Sequence, residues 1–173
     1  MSDVRVAVVM GVSGSGKTTL ASALADAWGA SFLDADDFHS VEARALMASG
    51  QPLTDALRQP WVARIADALQ RGVADGARVT LAFSGLRRQH RDALRAAGVP
   101  LRFLFLQGEA PLIAERMRQR RGHYMPVSLL DSQFATLEAP VDEADVTMLP
   151  VDLPPDAQLR LALQALAAPL LHR

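Results

Sequence analysis

The sequence contains no cysteine, which excludes a disulfide framework and thiolate metal sites and accords with a reducing, cytoplasmic setting. Lysine is almost as scarce: of 18 basic residues, Lys17 alone is lysine and the rest are arginine. There is no excess of one charge. A formal net charge of −1 and a pI near 6.4 argue against the basic face of an electrostatic nucleic-acid binder. No apolar run approaches the roughly 20 residues of a membrane helix, so no membrane partner is expected. The N-terminal Met1-Ser-Asp-Val-Arg5 reads as the approach to a strand rather than a signal peptide. What is present is a chain of 173 residues, half of them hydrophobic, expected to form one domain (1–173) with a substantial core.

Periodicity alternates between short strand-like and longer helical runs. Val4–Met10 is apolar and β-branched, as in a buried parallel strand. Thr18–Trp28 carries Leu20, Ala23, Leu24 and Ala27 on one helical face. A short strand, Ser31–Leu33, ends at Asp34, and helical runs cover Val41–Ala48 and Trp61–Arg71, with Pro60 at the first turn of the second. Strands at Val79–Phe83 and Leu101–Leu106 flank a helix at Gln89–Ala97, stopped by Gly98 and Pro100. Helices at Pro111 to about Arg121 and Val127–Thr136, a weak strand at Val146–Val151 and a helix at Asp156–Ala168 complete the chain. This alternation predicts an α/β fold, a parallel sheet flanked by helices on both faces. Gly122–Pro126 has the composition of a loop or lid.

Gly11-Val12-Ser13-Gly14-Ser15-Gly16-Lys17-Thr18 matches G-x-x-x-x-G-K-[ST] directly after a strand and at the start of a helix, the setting this phosphate loop requires. Its glycines let successive backbone N–H groups turn inward onto phosphate oxygens, and the helix N-terminus adds its own donors and positive dipole end. Lys17 then reaches the β- and γ-phosphates, and the Thr18 hydroxyl is a Mg²⁺ ligand. The loop predicts nucleoside triphosphate binding without separating a kinase from an ATPase or a GTPase.

Asp34-Ala-Asp36-Asp37-Phe-His39 places carboxylates at the carboxyl end of a strand, where α/β sheets hold ligands. The third strand ends Ala82-Phe83-Ser84-Gly85 and brings no carboxylate. Asp34 or Asp36 is therefore the candidate for the Mg²⁺ contact, through water, and for the base toward an acceptor hydroxyl. Asp37 reads as a helix N-cap, and His39 as either a substrate contact or a loop histidine.

The ordered set Gly11–Thr18, Asp34–His39, Met47–Leu53, Asp55 with Arg58-Gln-Pro-Trp61, Ser84 with Leu86, Arg91-Asp92, Gly122-His-Tyr-Met-Pro126 and Ser132–Glu138 resembles the small P-loop gluconokinases over nearly the whole chain. The resemblance implies the P-loop NTPase fold, a five-stranded parallel sheet in the order 2-3-1-4-5 with a small lid at about 116–136. It also implies transfer of the ATP γ-phosphate to the 6-hydroxyl of D-gluconate with Mg²⁺, an adenine site bordered by Asp152–Pro155, and a homodimer. The chain departs from the family pattern at Ser40, Ala43, Leu46, Ala56, Leu57, Arg87 and His90, most of them in the acceptor half.

A sugar acid needs cationic partners, and Arg58, Arg87, Arg91 and His123 are the candidates, with Asp36 and His39 completing the acceptor site. Arg88 and Arg95 read as a solvated helix face. Arg116 and Arg120, four apart, share a helical face and suit a lid closing over the phosphates. Gly122 is either the hinge of that lid or a helix C-cap. Trp28 and Trp61 read as packing residues. Two competing readings remain: a kinase for another small acid or shikimate, and a nucleotide-binding regulatory module without transfer activity.

Overall fold

In the computed structural model, residues 3–119 and 127–170 are described. The sheet consists of β1 (Val6–Met10), β2 (Ser31–Asp34), β3 (Val79–Ala82), β4 (Leu101–Gln107) and β5 (Val146–Pro150). All four pairings are parallel, in the order β2-β3-β1-β4-β5. The helices are α1 (Lys17–Trp28), α2 (Val41–Ala48), α3 (Asp55–Ala74), α4 (Arg88–Arg95), α5 (Ala110–Gln119), α6 (Val127–Thr136) and α7 (Pro155–Ala167), with a 3-10 turn at Ala35–Phe38. Among the described residues no helix is long and apolar enough to cross a membrane.

β1 is buried at every position, as its β-branched run requires of a central parallel strand. Its alternation divides the core in two. Ala7 and Val9 join Leu20 and Leu24 of α1, Ile113 of α5, Leu130 of α6 and Ala162 of α7. Val6, Val8 and Met10 face the other way, toward Trp61, Ile65 and Leu69 of α3 and Leu94 of α4. Register aligns Asp34 with Ala82 and Ala82 with Val9. The carboxyl end of β2 thus lies two strand spacings, roughly 10 Å, from that of β1, where the phosphate loop begins.

The first half of α3 departs from expectation. The helix starts at Asp55, where Thr54 accepts from Leu57 N–H at 3.4 Å, and not at Trp61. Pro60 therefore lies inside the helix rather than in its first turn, and Arg58 is a helical residue rather than one preceding the helix. Asp37 is not a helix cap either. It sits within the 3-10 turn, which Asp34 caps by accepting Asp36 N–H at 3.0 Å, while Ser40 caps α2 through Ala43 N–H at 3.1 Å. A residue with a short acceptor side chain is what that position needs, which accounts for serine at 40.

Candidate active site

The phosphate loop links β1 to α1 through Gly14 and Gly16, both in the left-handed region (φ 80° and 96°) that side chains disfavour. Among the described residues, the N–H groups of Gly14, Gly16 and Thr18 have no hydrogen-bond acceptor, and the buried Ser15 hydroxyl has no partner. Unpartnered donors converging at a helix N-terminus fit a polyphosphate. Lys17 Nζ donates to Val12 O at 3.1 Å, folded back over its own loop.

The acidic turn is held from three sides. Trp61 Nε1 donates to Ala35 O at 2.7 Å, Arg64 Nε to Phe38 O at 2.8 Å, and Arg44 Nη2 to the carbonyls of Asp36 and Asp37 at 3.4 and 3.3 Å. The His39 ring stacks on Trp61 with centroids 4.3 Å apart, and its Nε2 faces Asp36 Oδ1 at 3.7 Å. Trp61 is thus a buried packing residue and the platform for His39. The His39 side chain is only 4% exposed, with Nδ1 unpartnered. Burial lowers its pKa, so the ring is neutral near pH 7 despite the opposing pull of Asp36.

The Asp36 carboxyl is raised above the ordinary aspartate value by loss of surrounding water and by the Asp34 charge, against the lowering effects of His39 and Lys17. Because its side chain is 86% exposed, solvent screens much of this rise. Asp36 follows the carboxyl end of β2, the same end of the sheet at which β1 passes into the phosphate loop.

Arg58 and His90 line a cleft of about 420 Å³ between α3 and α4, floored by Val62, Ala63 and Ala93. Burial, then the Arg58 and Arg87 charges, lower the His90 pKa. Arg58 also faces Asp55 at 3.6 Å. Arg116 lies in the last turn of α5. Arg120, Gly122 and His123 lie outside the described residues.

Arg91 is not a substrate contact. It is fully buried, and all five of its N–H donors have protein acceptors. Nε and Nη2 bind Glu143 at 3.0 and 2.6 Å, Nη1 binds Gly85 O and Leu86 O at 2.7 and 3.4 Å, and Nη2 also binds Glu138 O at 3.0 Å. Arg95 is likewise no solvated residue, with bonds of 2.6 to 2.7 Å to Glu143, Asp145 and Asp92. Burial raises the Glu143 carboxyl, but hydrogen bonds and charge from Arg91 and Arg95 outweigh it and leave the pKa depressed.

Sequence reasoning missed Arg44 and Arg64, which hold the acidic turn, and Gln133, which bonds to the phosphate loop. Gln133 had one readable signal: it is a polar residue on the helical stripe of Leu130 and Phe134 that faces the core.

A phosphate loop after the central strand, an acidic turn after the edge strand and a 2-3-1-4-5 parallel sheet define a P-loop kinase. The family model described as "AAA domain" matches residues 6–141. The gluconokinase of Gluconobacter oxydans is 43% identical over 155 residues, covering 90% of this chain and 87% of that protein. The crystal structure of a gluconokinase from Sinorhizobium meliloti superposes with a TM-score of 0.86 at 40% identity, covering 96% of this chain and 94% of the other. Shikimate kinase from Aquifex aeolicus, at 16% identity and TM-score 0.58 with 93% and 95% covered, shares the fold. The chain belongs to the gluconokinase family.

Proposed function

We propose that the protein transfers the γ-phosphate of ATP to the 6-hydroxyl of D-gluconate, giving ADP and 6-phospho-D-gluconate. The observation that supports this reading is the shared end of the sheet: Asp34 closes β2 in register with Ala82 and Val9, so the acidic turn with Asp36 and the phosphate loop leave the sheet at the same end. In the reaction the acceptor oxygen forms a bond to the γ-phosphorus as the bridging oxygen leaves on ADP, and the hydroxyl proton passes to Asp36. Asp34, with one carboxylate oxygen occupied by Asp36 N–H, is the alternative base and the better metal partner. Lys17 and the loop amides bind the phosphates, with Gly11, Val12 and Ser13 shaping the loop and Thr18 and Asp34 holding Mg²⁺, partly through water. When bound, Mg²⁺ neutralises charge on the β- and γ-phosphates.

Arg58 and Arg87 are the cations for the acceptor carboxylate, with His39 and His90 as neutral hydrogen-bonding groups. Arg116 and Arg120 act from the end of α5 and the segment after it, with His123 beside the acceptor and Asp152–Pro155 beside the adenine; α6, whose Leu130 is in the core, is not part of a moving lid. The protein works in the cytoplasm as a homodimer, and light scattering on the eluting species tests the latter.

ADP release measured with Mg·ATP across D-gluconate, other aldonic acids, shikimate and no acceptor tests the activity. Turnover that depends on D-gluconate is expected. Turnover on another acid retains the mechanism but moves the specificity to His90 and its neighbours. ATP binding without any acceptor-dependent turnover overturns kinase activity in favour of a regulatory module.

A further inference from the structure

The tip of the phosphate loop is gripped by the two helices that flank residues 120–126. From α6, Gln133 makes a two-point contact with Ser13: its Oε1 accepts Ser13 N–H at 2.6 Å, and its Nε2 donates to Ser13 Oγ at 2.9 Å. From α5, Met117 and Ile113 close over Gly14 so tightly that a Cβ there would overlap the Met117 side chain. The α6 backbone is itself fixed. Leu130, one turn before Gln133, is 1% exposed in the core. Just past the other end of the helix, Glu138 N–H donates to Leu86 O at 2.7 Å, and the Glu138 carbonyl is held by the buried Arg91.

We propose that Gln133 is a positioning residue for nucleotide binding, which fixes the loop tip and takes the Ser13 N–H out of the set of amides offered to phosphate. An eight-residue loop rich in glycine is conformationally expensive to order, and an anion that must organise it binds more weakly than one that meets it already shaped. A side-chain amide suits the task because it satisfies one backbone donor and one hydroxyl at once, without adding charge beside the phosphates. Gln133 bonds to the tip of the loop. Its effect falls on ATP binding rather than on the chemical step. This inference rests on the phosphate-loop reading above but not on the identity of the acceptor.

The test is calorimetric titration of ATP into the full-length protein, with D-gluconate binding and thermal melting measured on the same samples. Gln133→Ala is expected to raise the Kd for ATP about tenfold, the scale of two neutral hydrogen bonds, while Tm and the Kd for gluconate stay near wild type. Ser13→Ala, which removes only the hydroxyl contact, gives a smaller weakening, and combining the two substitutions adds little to Gln133→Ala. Gln133→Glu preserves Tm, with the Ser13 hydroxyl now donating, yet weakens ATP binding in a salt-dependent way because the new charge lies beside the phosphates. Unchanged or tighter ATP binding in Gln133→Ala overturns the proposal. Equal loss of affinity for both ligands together with a lowered Tm also overturns it, in favour of a purely structural role. If Gln133→Ala fails to fold, Ser13→Ala decides: unaltered ATP affinity there refutes the two-point contact as a determinant of binding. Absence of gluconate turnover in the wild type bears only on the acceptor.

Discussion

The nucleotide and acceptor ends of the proposed site are built by different means. The nucleotide end is eight contiguous residues, a backbone-built loop held in shape by Gly14 and Gly16, with the N–H groups of Gly14, Gly16 and Thr18 open among the described residues. The acceptor end draws on the 3-10 turn, α3 and α4, and its backbone is held by side chains from other elements: Ala35 by Trp61, Phe38 by Arg64, and the Gly85–Leu86 loop by Arg91 with Glu143 behind it. A site made of backbone is encoded locally and tolerates changes in neighbouring side chains. A site made of side chains depends on contacts that exist only after folding, so the same residue type can serve as ligand in one place and as support in another.

Five substitutions sharpen this contrast. Lys17→Ala removes a point charge from the backbone-built end and is expected to lower kcat about 100–1,000-fold with Tm unchanged; near-normal turnover would show that the loop amides suffice. Glu143→Ala breaks the support of the acceptor end. It leaves Arg91 buried without a counter-ion and should cost about 3–5 kcal/mol of stability by chemical denaturation. Since the Glu143 carboxyl is depressed in the folded protein, its contribution is present above the ordinary value of 4.5 and is lost as pH falls through the depressed one. The gap between wild type and Glu143→Ala should therefore narrow in acid, and a constant gap would refute the ion-pair account.

Asp36→Asn should lower kcat about 100-fold with little change in ATP affinity. In the wild type, the acid limb of the rate profile should lie above the ordinary aspartate value of 3.8, because a raised carboxyl is protonated, and inactive as a base, at higher pH. Loss of ATP affinity alone would move Asp36 to the nucleotide side. The smallest effect separates two arginines. Arg58→Ala should raise KM for gluconate about tenfold, the scale of one charge-assisted hydrogen bond, with stability unaltered. The same change at Arg91 should lower stability and leave that KM unchanged in the folded enzyme.

Arg58 and Arg91 show where reading the sequence reaches its limit. Both are arginines on helical segments of the acceptor half, and nothing in their spacing distinguishes a cation open to the cleft from one with every donor engaged inside the protein. The distinction comes from Glu143, 52 residues away from Arg91 in the chain. Asp37 and Ser40 teach the same lesson at short range. Both are capping residue types, and only the backbone path of the 3-10 turn chose Ser40. Gln133 was visible as a polar interruption in an apolar stripe, but its partner, Ser13, lies 120 residues earlier.

The sequence by itself determined the α/β alternation, the parallel sheet and the phosphate loop, because periods of two and 3.6 residues and a glycine pattern are local properties of the chain. The ordered motifs added the family and the strand order. Tertiary structure alone decided which arginines are buried, what orders the acidic turn and which helix grips the loop tip. Those outcomes depend on which charges and amides meet after the strands align, and a buried donor is fixed by the partner that folding brings to it rather than by its neighbours in sequence.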